Sequence, residues 1–253
     1  MTTLVYDSTF EGLLTAIFEK YEFKFLDVEI VKDSRFQKPL FGEVNYIITN
    51  EDKAQRVLKK TETFIGKDGV KRLLYAFLSE AKDSEKHILN AIDYALVEKS
   101  NIMDNYANLD VMQISKLTKS VGREKHRMEA FVRFKLLKDG IYFAEIQPDF
   151  DVLLLIVNHF KNRYQDQKWI IYDTRRYYGV FYDTKSLDIV HFKEYLSNLS
   201  EKVNNIFDEI ELKYQHLWKE YFDHANIKER KNIKLHLQHV PKRYWKYLVE
   251  KNH

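Results

Sequence analysis

Apolar residues recur at helical spacing through much of the chain. Phe10, Leu13, Leu14, Ile17, Phe18 and Tyr21 fall on one face of a helix. Ser8 followed by Glu11 has the spacing of a capping box at its start. Residues 26–31 and 43–49 then read as short strands, parted by a polar stretch around Pro39. Asn50 is placed to cap a second helix with Ala54, Val57 and Leu58 facing inward, and Gly66 to Gly69 breaks it. Val70, Leu73, Leu74, Phe77 and Leu78 mark a further helix. Residues 84–106 and 109–125 predict two more, antiparallel neighbours given their short connection.

The period then changes. Residues 127–137 alternate, with Met128, Ala130, Val132 and Phe134 on one face and Arg127, Glu129 and Arg133 on the other. Lys138-Asp139-Gly140 is a hairpin signal answered by a strand over 141–147. Pro148-Asp149 opens a helix carrying Val152, Leu153, Ile156, Val157 and Phe160. Residues 169–173 and 178–182 follow as strands, 199–221 as a long amphipathic helix, and 226–253 as short helical pieces punctuated at Pro241. The pattern predicts an α+β fold, with helical N-terminal and C-terminal parts packed around a central antiparallel ββαββ sheet. It reads as a single compact unit, divisible at most into 1–125, 126–198 and 199–253.

Composition removes several classes of chemistry. The 253 residues include no cysteine, which excludes disulfides, thiolate metal sites and cysteine nucleophiles. Glycines stand at only seven positions (12, 42, 66, 69, 122, 140 and 179), so neither G-x-G-x-x-G nor a G-x-S-x-G elbow can be written. A P-loop ending at Gly66-Lys67 would need glycine where Thr61 stands. The longest apolar run, 152–157, is far short of a membrane span, and no basic-then-apolar leader precedes it; a cytoplasmic protein is expected.

Candidate metal and hydrolytic sites are sparse. His236 and His239 would share a helical face, but Lys234, Lys242 and Arg243 beside them disfavour a cation. Asp149 and Asp151 suit helix capping. No metal or other cofactor is expected. Pro148-Asp149 with Asp166-Gln167-Lys168 spells a loose nuclease pattern, in which carboxylates hold magnesium and a lysine steadies water, yet a helix intervenes between the two halves. His126, Asp149, Asp166 and Asp173 are the residues that an alternative, hydrolytic or nuclease-like activity on DNA would use.

Charge is more informative. The net charge of +3 conceals an uneven distribution. Residues 226–253 hold Lys228, Arg230, Lys231, Lys234, Lys242, Arg243, Lys246 and Lys251 against Glu229 and Glu250, a net +6, which leaves −3 for the rest. Tyr244, Trp245 and Tyr247 are interleaved with them. Cations spaced by rings suit a phosphate backbone with unpaired bases. The competing reading is a solvated tail held down by its aromatics, and rings inward with cations outward satisfies both. A second basic group is Arg123, Lys125, Arg127, Arg133 and Lys135; a third is Arg175-Arg176, followed by Tyr177-Tyr178. These arginines either hold phosphates or pair with Glu145 and Asp173.

Four strings carry a family resemblance: YDSTFEG (6–12), HRMEAFVRF (126–134), DQKWIIYDTRR (166–176) and NIKERKNIKLHLQHVPKRYWKYL (226–248). Together they resemble a bacterial family of DNA metabolism and DNA repair proteins. The resemblance implies a process without a reaction. Members are encoded beside a radical-SAM protein, and a related domain is fused to uracil-DNA-glycosylase-like proteins. A cysteine-free chain would be the companion of such an enzyme, since it cannot hold the iron–sulfur cluster. The expectation is a DNA-binding companion of a radical-SAM partner. Its nucleic-acid contacts would come from Arg127, Arg133, Arg175, Arg176 and the tail residues Lys228, Arg230, Lys231, Lys234, Lys242, Arg243, Trp245 and Lys246. A protein–protein module whose basic tail docks an acidic partner is the remaining alternative.

Overall fold

A computed structural model describes residues 1–39, 41–191, 211, 213, 215–217, 240–248 and 251. The chain divides into two compact units, Met1–Gly122 and Arg123–His253. The α+β class holds.

The first unit is built on β1 (Thr2–Tyr6), β2 (Val28–Lys32) and β3 (Glu43–Tyr46), in the order β2-β1-β3 with both pairs parallel. β1 was not legible as a strand. Thr3 to Tyr6 are all buried, so the central strand shows no alternation. Helix α1 (Phe10–Glu22) is capped by Thr9, whose side chain accepts from the Gly12 amide at 2.9 Å. Ser8, the predicted cap, instead takes a left-handed conformation (φ 66°) and hydrogen-bonds Asp33 at 2.7 Å. Helix α2 (Glu51–Leu78) is capped by Asn50 as its sequence suggests, and it kinks at Gly66, where φ 70° suits only glycine without strain. Helix α3 (Ser84–Glu98) stops short of the predicted 106, because Lys99 turns left-handed. Leu4, Leu13, Ile17, Leu73, Ile88, Ile92 and Ile114 form the fully buried centre of this unit.

Helix α4 (Leu109–Phe131) begins in the first unit and ends in the second. It runs through residues expected to begin a strand. Met128 and Val132 are four apart, which satisfies two steps of alternation and one helical turn alike, and Val121, Glu124 and Met128 extend the helical stripe backward. Arg127 therefore lies on a helix and Arg133 just beyond its end, so the predicted arginine-lined sheet face does not exist.

The second unit carries a five-stranded sheet, β4 (Lys135–Leu136), β5 (Tyr142–Ile146), β6 (Trp169–Asp173), β7 (Tyr178–Tyr182) and β8 (Leu187–Val190), in sequential order. The sheet is mixed and not purely antiparallel. Helix α5 (Leu153–Arg163) returns the chain to the start of the sheet, so β6 runs parallel to β5, while the other pairs are antiparallel. α5 begins four residues after Asp149, not at it. Ala144, Ile146, Trp169, Ile171, Val180 and Tyr182 are buried, as are Leu153, Ile156, Val157 and Phe160 of α5. Phe134 meets Phe160, Tyr164 and Trp169 edge-on or tilted, at 5.5–6.1 Å between centroids. Much of the aromatic excess is therefore core packing. The predicted helix at 199–221 lies outside the described residues, except that 211, 213 and 215–217 are helical.

Candidate nucleic-acid interface

Parallel strands β5 and β6 end side by side, and the loops that follow them create the site. Residues 147–152 lead from β5 into α5. Residues 174–177 turn β6 into β7. Asp173, fully buried at the end of β6, accepts from the amides of Arg175 (2.8 Å) and Arg176 (3.2 Å), which fixes the turn. Tyr177 completes it with φ 58° and an exposed ring.

Three basic segments remote in sequence converge on the 147–149 stretch. From the β6–β7 turn, Arg176 donates to Asp173 (2.8 Å), to the Pro148 carbonyl (3.2 Å) and to the Asp149 carbonyl (3.2 Å). Arg175 donates to the same Asp149 carbonyl at 3.1 Å. From α4, the Glu124 carboxylate is 1% exposed and accepts the Asp149 amide at 3.0 Å, with Arg127 at 3.9 Å. From the 3₁₀ helix Lys242–Tyr247, Arg243 pairs with Glu124 (2.6 Å) and with the Asp149 side chain, and Lys246 reaches Gln147. Tyr244 is buried against Phe131 and donates to Glu124 at 2.6 Å. Burial, then that hydrogen bond, raises its pKa well above the ordinary tyrosine value. Tyr178 is raised likewise, by burial and then by the charge of Asp151, which accepts its hydroxyl at 2.5 Å.

Glu124 is the hub, and the charge groups chosen from sequence did not include it. Its signal was present: an acid three after Val121 and four before Met128, inside an apolar stripe. A buried carboxylate is retained only when charged and hydrogen-bonding partners offset its desolvation. Arg243, Tyr244 and the Asp149 amide supply them.

The predicted cations thus separate by task. Arg176, with its side chain 10% exposed, is a buried ion-pair partner, and Arg243, though exposed, is committed to Glu124 and Asp149. Arg133 donates to the Ala130 and Val132 carbonyls at the end of α4 (2.8 and 3.2 Å), where a cation also meets the negative end of the helix dipole. Trp245 is half-buried and donates to the Val240 carbonyl at 3.0 Å. Arg175, Lys242 and Lys246 are exposed; Arg175 and Lys242 face no carboxylate among the described residues. Lys228, Arg230, Lys231 and Lys234, with His236 and His239, lie outside the described residues.

The nuclease spelling does not assemble. Asp149 precedes α5 and is held by Arg243, whereas Asp166 follows α5 in an exposed turn. An 11-residue helix, about 16 Å long at 1.5 Å per residue, stands between them. His126 is exposed and 3.9 Å from Glu129. Among the described residues no three His, Asp or Glu side chains form a metal-binding group. No helix among them is long and apolar enough to cross a membrane.

The second unit is an α+β module whose loops, at the carboxyl ends of two parallel strands, are bound together by arginine and rimmed by further cations. The chain belongs to the family described as a domain of unknown function, DUF4130, which matches residues 82–250, well over half of its length. No protein of curated function matches it.

Proposed function

We propose that the second unit binds nucleic acid, as the cytoplasmic companion of a separate DNA-modifying or repair enzyme. One observation carries this reading: α4 through Glu124, the β6–β7 turn through Arg175 and Arg176, and the segment after Pro241 through Arg243 meet on a single loop, with Arg127 beside Glu124. Arg175, Lys242 and Lys246 offer charge to phosphates, and the exposed ring of Tyr177, two residues from Arg175, offers a stacking surface to an unpaired base. The DNA-repair resemblance supports the process, and the absence of cysteine supports a radical-SAM partner rather than a cluster within this chain.

The test is fluorescence anisotropy with labelled single-stranded and double-stranded DNA at low salt. Arg175→Glu combined with Lys242→Glu reverses two exposed cations without touching the Glu124 hub. It should weaken binding at least tenfold with an unchanged melting curve. Arg243→Glu is unsuitable, because it would set a third carboxylate against Glu124 and Asp149. Failure of the wild-type chain to bind either DNA, or equal binding by the double variant, refutes the reading.

A further inference from the structure

The first unit contains an open cleft of about 700 Å³ bordered by α1, α2 and α3. Its apolar walls are Phe18 of α1, Val57 of α2, and Ile92 and Leu96 of α3. The spacing explains the walls: 92 and 96 are one helical turn apart, as are 57 and 61. Three exposed cations of α2, Arg56, Lys59 and Lys60, also line it. Arg56 and Lys60 lie over the rings of Phe18 (4.8 Å) and Phe64 (5.0 Å). None of the three has a carboxylate partner among the described residues. The one acid lining the cleft, Glu22, is held by Lys53 at 2.8 Å, and Lys53 also takes Glu19 at 3.2 Å. The positive charge at the mouth is therefore uncompensated.

Thr61 underlies the same wall. It lines the cleft, is 3% exposed, and its hydroxyl has no hydrogen-bond partner. That oxygen is also shut off from solvent, so it lies beneath the wall of the cleft and makes no contact with an occupant. Volume, apolar walls and a few convergent polar groups are the attributes of a small-molecule site.

We propose that this cleft binds a small amphipathic anion: an acyl or aromatic body against Phe18, Val57, Ile92 and Leu96, and a single carboxylate, sulfonate or phosphate head among Arg56, Lys59 and Lys60. The apolar body gains from burial, and the head selects sign. This site is separate from the arginine-bound loop and does not rest on the nucleic-acid reading.

The experiment uses the full chain and the fluorescent probe anilinonaphthalene sulfonate. One saturable site should appear, displaced by decanoate and at least tenfold less well by decyltrimethylammonium, which has the same chain and the opposite charge. Arg56→Glu with Lys60→Glu, both exposed, should weaken the probe at least tenfold. Val57→Trp, or Leu96→Trp where the first variant misfolds, should fill the cleft and abolish binding. Equal displacement by the cationic amphiphile overturns the proposal, as does unchanged binding in the charge-reversed or the correctly folded tryptophan variant. Co-sedimentation with phosphatidylglycerol vesicles that is lost on charge reversal would assign the cations to a bilayer surface, and so would also overturn it.

Discussion

Replacing Arg176 by Met should destabilise the second unit by about 3 kcal/mol, several times the cost of removing a surface ion pair. Asp173 is fully buried and the Arg176 side chain is 10% exposed, so solvent does not screen the 2.8 Å contact between them. Breaking a buried pair leaves the remaining charge uncompensated, which costs about 3–5 kcal/mol. The lower end applies here because Asp173 keeps the amides of Arg175 and Arg176. Two further losses, the bonds to the Pro148 and Asp149 carbonyls, oppose that relief. The assay is urea unfolding followed by tryptophan fluorescence. All three tryptophans, Trp169, Trp218 and Trp245, belong to the second unit, so the signal reports on it selectively. The midpoint should fall with the slope unchanged. Asp173→Asn combined with Arg176→Met should recover part of the loss, because no buried charge remains. A loss under about 1 kcal/mol, or a double variant no better than Arg176→Met alone, would refute the reasoning, for the pair would then behave as an exposed one.

Two predictions concern the first unit. Burial raises the pKa of Asp7, but hydrogen bonds from Thr9 (2.6 Å to its hydroxyl, 3.0 Å to its amide) and Thr49 (2.7 Å) outweigh this and hold it below the usual aspartate value. The unfolded chain titrates near about 3.9. The stability that Asp7 provides over Asp7→Asn is therefore complete above roughly pH 5 and is lost as pH falls through the depressed folded value. Thermal melts of both proteins down to about pH 3 check this, and a difference independent of pH contradicts it. Thr61→Val removes an unbonded hydroxyl at nearly constant volume, so urea unfolding should show unchanged or increased stability, by up to about 1 kcal/mol. A comparable loss would show that the hydroxyl is bonded.

The strands at 169–173 and 178–182 and the start of α2 at Asn50 were legible to the residue, because each rests on a local signal: a short apolar run between turn residues, or a capping side chain. What failed was ambiguous at short range. Met128 to Val132 satisfies both a period of two and a step of four, and the helical stripe behind it decides the matter. β1 is central and parallel on both sides, so it carries no alternation to read. Ser8 and Thr9 are both good caps; the long-range hydrogen bonds from Ser8 to Asp33 and from Thr49 to Asp7 choose between them through tertiary structure. The candidate interface was legible as a set of cations but not as a division of labour. Sequence counts charges, and only the fold shows which carboxylates they meet.

That division alters what salt dependence should reveal. Each phosphate neutralised on duplex DNA contributes about −0.9 to the slope of log affinity against log salt. If every arginine and lysine singled out in the sequence contacted phosphate, the slope would approach about −10. Arg176 and Arg243 are engaged with Asp173, Glu124 and Asp149, Arg127 lies beside Glu124, and Arg133 bonds helix carbonyls. Releasing them would expose buried carboxylates, a cost that a phosphate contact does not return. Arg175, Lys242 and Lys246 are exposed, and contact of all three with phosphate predicts a slope of about −3. Participation of Lys228, Arg230, Lys231 and Lys234 would steepen it to about −6. A salt series on the wild-type chain separates these cases. With Arg175→Glu and Lys242→Glu, the slope should flatten by about 2 from whichever value it starts. A slope near about −8, unchanged by that double substitution, would mean that the paired arginines are the true contacts and that the loop at 147–149 opens to receive DNA.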